Sequence, residues 1–173
     1  MEQKLIAIDL DGTTLNENSQ ITPKTKEVLT KATAAGHIVS IVTGRPNRIS
    51  ENYYDFLGLK SPMINFNGAV GHIPHQTWDK EYALTFNRDI AFEILAAKEQ
   101  LGIKVVAAEG KNMALADVPN TVIDDFFPVT LKANEVLNKI NLQENPSAMT
   151  MLVDKLQLPK TVSALEENFG DKI

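Results

Sequence analysis

The chain has 173 residues, of which 43% are hydrophobic, a formal net charge of −5 and no cysteine. This length and apolar content suffice for a hydrophobic core, and the lack of cysteine excludes disulfides and thiolate metal sites. Because the basic residues are scattered and charges interrupt every apolar run, we expect no nucleic-acid partner, no membrane span and a cytoplasmic protein.

The N-terminal part of the chain predicts alternating strands and helices. Apolar runs at 4–9, 38–42 and 62–66 are typical of buried strands. Helix start and stop signals bound two helices between them, over 22–36 and 46–58. Three strands that alternate with two helices predict a parallel sheet with right-handed crossovers.

The pattern changes after Val70, where turn-rich, extended sequence runs to Tyr82. The elements predicted beyond it are a helix over 87–101, a hairpin over 105–116 that turns at Glu109-Gly110-Lys111-Asn112, a weaker helix over 133–140, a strand over 149–153 and a helix over 159–169. We therefore predict an α/β fold, with a Rossmann-like parallel-sheet core over 1–84 and a separate α+β domain over 85–173.

Three polar clusters follow the three predicted strands: Asp9-Leu10-Asp11-Gly12-Thr13, Thr43-Gly44-Arg45 and Asn67-Gly68. Each has a plain structural alternative, because the first can be a solvated turn, the second a strand exit and the third the turn of a hairpin. Ligands of open parallel sheets bind beyond the carboxyl ends of the strands. Since all three clusters are predicted at that edge, their convergence favours a functional site.

The residue types in these clusters suit a phosphate ester. One carboxylate can attack phosphorus to give an aspartyl-phosphate, and a second can protonate the leaving oxygen and then take a proton from water. Mg²⁺ binds such oxygen ligands and offsets the repulsion between the two acids. Gly12 lets backbone amides approach the phosphoryl oxygens, the Thr43 hydroxyl and the Gly44 amide supply donors, and Arg45 suits a bidentate grip on phosphate.

The motifs DLDGTTL at 9–15, IVTGRP at 41–46 and NFNGAV at 65–70 resemble those of the haloacid dehalogenase superfamily. Within it, the chain is most similar to the Cof-like sugar phosphatases, which carry a large α/β cap. The resemblance implies that Asp9 is the nucleophile and a metal ligand, and that Asp11 is the general acid and base and ligates Mg²⁺ through its backbone carbonyl.

The chemistry and the resemblance together predict these phosphate- or substrate-binding residues: Leu10, Gly12, Thr43, Gly44, Arg45 and Asn67. The resemblance also implies a lysine at a helix start and a Gly-Asp motif after the cap. We reject Lys160 and Gly170-Asp171 for these roles, because Gly170-Asp171 follows a predicted amphipathic helix and not an apolar strand. We therefore expect the chain to stop inside the cap.

These observations favour a Mg²⁺-dependent phosphatase of small phosphorylated metabolites such as sugar phosphates. One alternative is a phosphomutase or phosphotransferase on the same scaffold. Another is a catalytically impaired fragment that acts at most as a binding module or associates into a homo-oligomer.

The remaining polar and aromatic residues favour structural roles. His37, His72 and His75 are too scattered for a metal site, and we expect the first to open a strand and the other two to lie on a loop. Tyr53 is expected in the core or at an interface. The Asp124-Asp125 pair is expected on a helix surface.

Overall fold

A computed structural model describes residues 2–119 and 135–172. The chain divides into two compact units, Met1–Ala83 and Leu84–Ile173. The predicted boundary after residue 84 lies one residue further along. The Asp124-Asp125 pair lies outside the described residues.

The first unit begins with a parallel pair of strands. In chain order its elements are β1 (Leu5–Ile8), α1 (Pro23–Ala34), β2 (Ile38–Ile41), α2 (Glu51–Leu57), β3 (Met63–Asn65), β4 (Val70–His72) and β5 (Tyr82–Ala83). β1 and β2 are parallel, and a parallel bridge joins Val42 to Ile64 of β3. The prediction of parallel strands joined by helices is therefore confirmed here. β3 then continues into an antiparallel sheet with β4 and β5.

The ends of α1 and α2 depend on local hydrogen bonds. The Thr22 hydroxyl accepts the Thr25 amide at 3.1 Å and caps α1, as the sequence predicts. The prediction that the second helix starts at Pro46 is wrong, because α2 starts at Glu51 after a short 3₁₀ turn. The Ser50 hydroxyl donates to the Pro46 carbonyl at 2.8 Å and so satisfies an acceptor outside the helix.

The core of the first unit lies between the strands and the two helices. Its buried apolar residues are Leu10, Leu15, Ile21, Val39, Ile41, Tyr54, Leu57, Leu59 and Met63. The prediction that the first strand is buried is wrong, since Leu5 is 68% exposed and Ala7 is also exposed. Within the described part of the chain, β1 pairs with β2 alone and its other edge has no strand beside it.

The second unit is an antiparallel sheet with two helices. Its elements are α3 (Arg88–Ala97), β6 (Ile103–Gly110), β7 (Met113–Ala116), β8 (Ala148–Val153) and α4 (Leu158–Phe169). The strand order is β7-β6-β8. Ile94 of α3 and Phe169 of α4 pack with β6 in one buried cluster, which is separate from the core of the first unit.

Three predictions for this unit are wrong: the end of one helix, the width of the hairpin turn and the presence of a helix over 135–140. α3 ends at Ala97 and not near 101. The hairpin turn is tighter than predicted, since Glu109 and Gly110 belong to β6 and pair with β7. The described residues 135–140 of the predicted helix are not helical, because the Asn138 side-chain oxygen accepts the amides of two following residues, at 2.8 and 3.0 Å. Among the described helices, none is both long and apolar enough to span a membrane.

Candidate active site

The carboxyl ends of the first three strands of the first unit lie side by side. The Val42 amide donates to the Ile8 carbonyl at 2.8 Å, and the Thr43 amide donates to the Ile64 carbonyl at 3.0 Å. Asp9 follows Ile8 directly, so the loops after these strands start at one edge. The structure thus brings the three predicted clusters to the same end of the unit.

The loop after β1 is anchored by a buried leucine. Leu10 is buried, and its carbonyl accepts the Leu15 amide at 2.9 Å, which closes a turn over Leu10–Thr14. Gly12 has φ +67°, a left-handed conformation that favours glycine. The aspartates on either side of Leu10 are exposed. Because the Leu10 side chain faces the core, only its backbone is available to a ligand.

Asp11 and Arg45 form a bidentate ion pair. Arg45 Nε and Nη2 donate to the two Asp11 carboxylate oxygens at 2.7 and 2.6 Å. The Asp11 side chain is 59% exposed and the Arg45 side chain is 22% exposed. The hydrogen bond from Arg45 holds the pKa of Asp11 below its usual value, against a smaller opposing effect of partial burial, and the Arg45 charge lowers it further.

Thr43 offers a donor beside this pair. Its side chain is buried, and its hydroxyl oxygen accepts the Arg45 amide at 3.2 Å. This hydrogen bond orients the hydroxyl and leaves its own proton available to an oxygen of a ligand. A phosphoryl group at this edge could therefore meet a neutral donor from Thr43 and a charged one from Arg45.

Asn67 lies against Gly44. The backbone amide of Asn67 donates to the Thr43 carbonyl at 3.4 Å, and the φ of Asn67 is +54°. A Cβ on Gly44 would lie 2.6 Å from Asn67 Oδ1, so a larger residue does not fit without moving that side chain. The 3₁₀ turn Phe66–Gly68 also connects antiparallel β3 and β4. The Asn-Gly pair is thus a hairpin turn and at the same time part of the clustered edge.

Tyr53 contacts both the core and the site. It packs partly against the core of the first unit, as expected, and its hydroxyl donates to the Ser19 carbonyl at 2.9 Å. The Arg45 guanidinium carbon lies 5.6 Å from the centre of its ring. The sequence did not reveal this contact, because Tyr53 is eight residues beyond Arg45 and on a different element.

Three buried polar residues behind the site were missed: Ser50, Asn65 and His72. The prediction that His72 lies on a loop is wrong, since it belongs to β4 and is almost fully buried. Its imidazole Nε2 is 3.1 Å from Asn65 Oδ1. A polar side chain inside an apolar strand run was the signal that could have found Asn65.

The oxygen donors of the site fit part of a Mg²⁺ shell. The Asp9 carboxylate is exposed at the strand end, and no described side chain or backbone group is hydrogen-bonded to it. Mg²⁺ is commonly bound by one or two carboxylates, with waters and substrate phosphate completing the shell. The described residues contain no cluster of three acidic or histidine side chains that could hold a metal alone.

The rejected candidates lie in the second unit. Lys160 is exposed on α4. Gly170 and Asp171 follow directly on Phe169, the last residue of that helix. The prediction that they follow a helix and not a strand is confirmed.

Comparison with known proteins identifies relatives of the chain. The family of haloacid dehalogenase-like hydrolases matches residues 6–173. The chain is 37% identical over 129 residues to 5-amino-6-(5-phospho-D-ribitylamino)uracil phosphatase YitU of Bacillus subtilis, across 73% of this chain and 43% of that protein.

Solved structures share its fold. A haloacid dehalogenase-like hydrolase from Bacteroides thetaiotaomicron superposes with a TM-score of 0.80 at 15% identity, covering 99% of this chain and 66% of the other. The HAD subclass IIB sugar phosphatase BT4131 gives 0.68 at 21% identity, covering 94% and 63%. The predicted α/β fold is confirmed. The chain spans less than half the length of the Bacillus subtilis relative.

Proposed function

The chain belongs to the haloacid dehalogenase-like hydrolase family, and on that premise we propose that it is a phosphatase of small phosphorylated metabolites. The observation that carries the proposal is the Asp11–Arg45 contact, which joins the loops after β1 and β2 beside the exposed Asp9. Carboxylates next to phosphate-gripping donors are the groups that hydrolysis through a covalent intermediate requires.

Asp9 is the proposed nucleophile. Its carboxylate oxygen attacks phosphorus, the bond from phosphorus to the ester oxygen breaks, and an aspartyl-phosphate forms. When phosphate takes Arg45 from Asp11, the ion pair that lowers the pKa of Asp11 is lost, and Asp11 supplies the proton that the leaving alkoxide needs. Asp11 then takes a proton from a water molecule, which attacks phosphorus, releases inorganic phosphate and restores the Asp9 carboxylate.

Neighbouring residues position the phosphoryl group. The Thr43 hydroxyl and the Gly44 amide donate to its oxygens, and Arg45 grips it through its planar fork. Asn67 lies beside Gly44, and its side-chain amide is the proposed donor to a substrate oxygen. Asp9 and the Asp11 backbone carbonyl are the proposed Mg²⁺ ligands. When bound, Mg²⁺ offsets the negative charge that the two aspartates and the phosphate bring together.

We propose phosphorylated sugars or polyols as the substrate class. The Bacillus subtilis relative is named for a substrate whose phosphate sits on a ribityl chain. A structural neighbour is named a sugar phosphatase. Both names place the phosphate on a polyhydroxylated carbon chain.

Phosphorylation of Asp9 tests the proposal without requiring turnover. We expect the 173-residue chain, incubated with p-nitrophenyl phosphate and Mg²⁺, to carry phosphate on the peptide that contains Asp9, as detected by mass spectrometry after an acid quench. EDTA and Asp9→Asn should each abolish the label. Asp79→Asn removes another exposed aspartate of the first unit and should leave the label unchanged. An undiminished label in Asp9→Asn or in EDTA would contradict the assignment.

Turnover is a second measurement. We expect p-nitrophenol release by this chain to need Mg²⁺ and to be lost in Asp9→Asn, since the proposed attack on phosphorus depends on both. Release that continues in EDTA or in Asp9→Asn would contradict the assignment of Asp9.

A further inference from the structure

A cluster of three buried polar residues, Ser50, Asn65 and His72, lies next to the candidate active site. Asn65 and Ser50 are 0% exposed and His72 is 1% exposed. Polar side chains are costly to bury unless they are hydrogen-bonded. Three of them, one just before α2 and the others on β3 and β4, therefore indicate an arrangement that the fold holds in place by hydrogen bonds.

The hydrogen bonds fix the direction of each group. Asn65 Nδ2 lies 3.0 Å from the Arg45 carbonyl, which can only accept, so this atom is the amide nitrogen. The same nitrogen donates to Ser50 Oγ at 2.8 Å. Asn65 Oδ1 must then accept, so His72 Nε2 carries the proton across their 3.1 Å contact. The Ser50 hydroxyl in turn donates a hydrogen bond to the Pro46 carbonyl at 2.8 Å.

This chain of hydrogen bonds ends on the backbone of the residue that grips Asp11. The Arg45 carbonyl accepts from Asn65 at 3.0 Å and from the Phe66 amide at 3.3 Å. The Arg45 amide is held at 3.2 Å by the Thr43 hydroxyl. Asn65 is therefore one of the groups that fix the backbone of Arg45, and with it the Cα that carries the Arg45 side chain.

We propose that Asn65 is a positioning residue for Arg45, acting through its carbonyl, with His72 and Ser50 orienting the Asn65 amide. The proposal rests on the proposed function in one respect, namely that Arg45 grips phosphate. Asn65 does not touch the substrate. It sets the direction of the guanidinium, and an error of about 1 Å in such a group can cost about 100-fold in rate.

The Asn65→Asp variant tests this role. It keeps the shape of the side chain and can still accept from His72, but it has no donor for the Arg45 carbonyl. Asn65→Ala is measured beside it, because a buried carboxylate can impair folding. Thr161→Val is the matched control, since it removes a buried hydroxyl that donates to the Leu101 carbonyl at 2.6 Å in the second unit.

Two readouts separate positioning from stability. The first is the arginine Nε–H spectrum, which holds one signal for each of the three arginines of the chain. Arg45→Lys identifies the Arg45 signal. The second is the affinity for inorganic phosphate, measured by calorimetry on variants that circular dichroism shows to be folded.

We expect both Asn65 variants to shift or broaden the Arg45 Nε–H signal and to weaken phosphate binding by about tenfold or more. Thr161→Val should change neither. An unchanged Arg45 signal in a folded Asn65 variant overturns the positioning role. If the unaltered chain binds no phosphate, the proposed function fails, while the Nε–H spectrum still decides whether Asn65 positions Arg45.

Discussion

The guanidinium of Arg45 donates to both carboxylate oxygens of Asp11, from Nε at 2.7 Å and from Nη2 at 2.6 Å. The residues are 34 positions apart in the chain and belong to loops that follow neighbouring parallel strands. The proposed phosphate-gripping group is thus already occupied by an anion that belongs to the protein. A phosphate that takes Arg45 must compete with Asp11.

This competition predicts an unusual result for Asp11→Asn. Removing the charge frees Arg45 and reduces the negative charge of the site, so inorganic phosphate should bind about fivefold more tightly in the absence of metal. Phosphatase turnover should fall, because the proposed general acid is lost. Calorimetric titration at low and high salt is the measurement, and salt should shrink the gain. Asp79→Asn is the control for a general charge effect. Weaker phosphate binding by Asp11→Asn would mean that the two anions do not compete.

Arg45→Lys keeps the positive charge and removes the planar guanidinium group with its two parallel donors. A lysine cannot donate to two carboxylate or phosphate oxygens in one plane, so we expect phosphate affinity to fall about tenfold. Because the Asp11 side chain is 59% exposed, the free energy of unfolding should change by no more than about 1 kcal/mol. Urea denaturation beside phosphate titration measures both. A large loss of stability with unchanged affinity would assign Arg45 a structural role instead.

Gly44→Ala tests the contact between Gly44 and Asn67. The added Cβ would lie 2.6 Å from Asn67 Oδ1, so the Asn67 side chain must move. Because that atom is the far end of an exposed side chain, we expect the free energy of unfolding to fall by less than about 1 kcal/mol, with weaker phosphate binding from the displaced Asn67.

The double variant Gly44→Ala/Asn67→Gly is the control for this prediction. Asn67 has φ +54°, which glycine adopts easily, and its removal eliminates the clash. The cost of Gly44→Ala should therefore be smaller in the Asn67→Gly background than alone. Equal costs in both backgrounds would show that the Asn67 side chain does not limit residue 44.

The sequence predicted the elements of the first unit better than their exposure. Helix caps such as Thr22 and stops such as Gly58 act locally, so their signals can be read from the sequence directly. Burial of β1 depends on what lies beside it. Leu5 reads as a core residue by composition, yet it is exposed because its neighbourhood is set by strand pairing and not by its own type.

The same distinction applies to the candidate site. The meeting of the three loops follows from strand order, which the alternation of elements predicts. Which side chains touch does not follow. The Asp11–Arg45 pair and the Asn65–His72 contact each depend on backbone positions set by packing between elements. An asparagine in an apolar strand could be flagged as buried, but its partner could not be named from spacing alone.

Tyr54 provides a pH-dependent test of the core of the first unit. Its phenol is buried and donates to the Ser61 carbonyl at 2.8 Å. Burial, with a smaller contribution from the charge of Asp55, raises its pKa to about 12. Between its ordinary pKa near 10 and that value, the unfolded chain has lost the Tyr54 proton and the folded chain keeps it. The unfolded state binds fewer protons there, so the free energy of unfolding falls as the pH rises through this window.

We therefore expect the unaltered chain to lose stability above pH 10 more steeply than Tyr54→Phe. The contribution is complete below pH 10, so the two proteins should differ there only by the hydrogen bond to Ser61, about 1 kcal/mol. Urea denaturation at steps between pH 8 and pH 11 measures the slopes, and tyrosinate absorbance follows the ionisation. Parallel curves over that range would show that folding does not raise the pKa of Tyr54, contrary to the burial of its phenol against the Ser61 carbonyl.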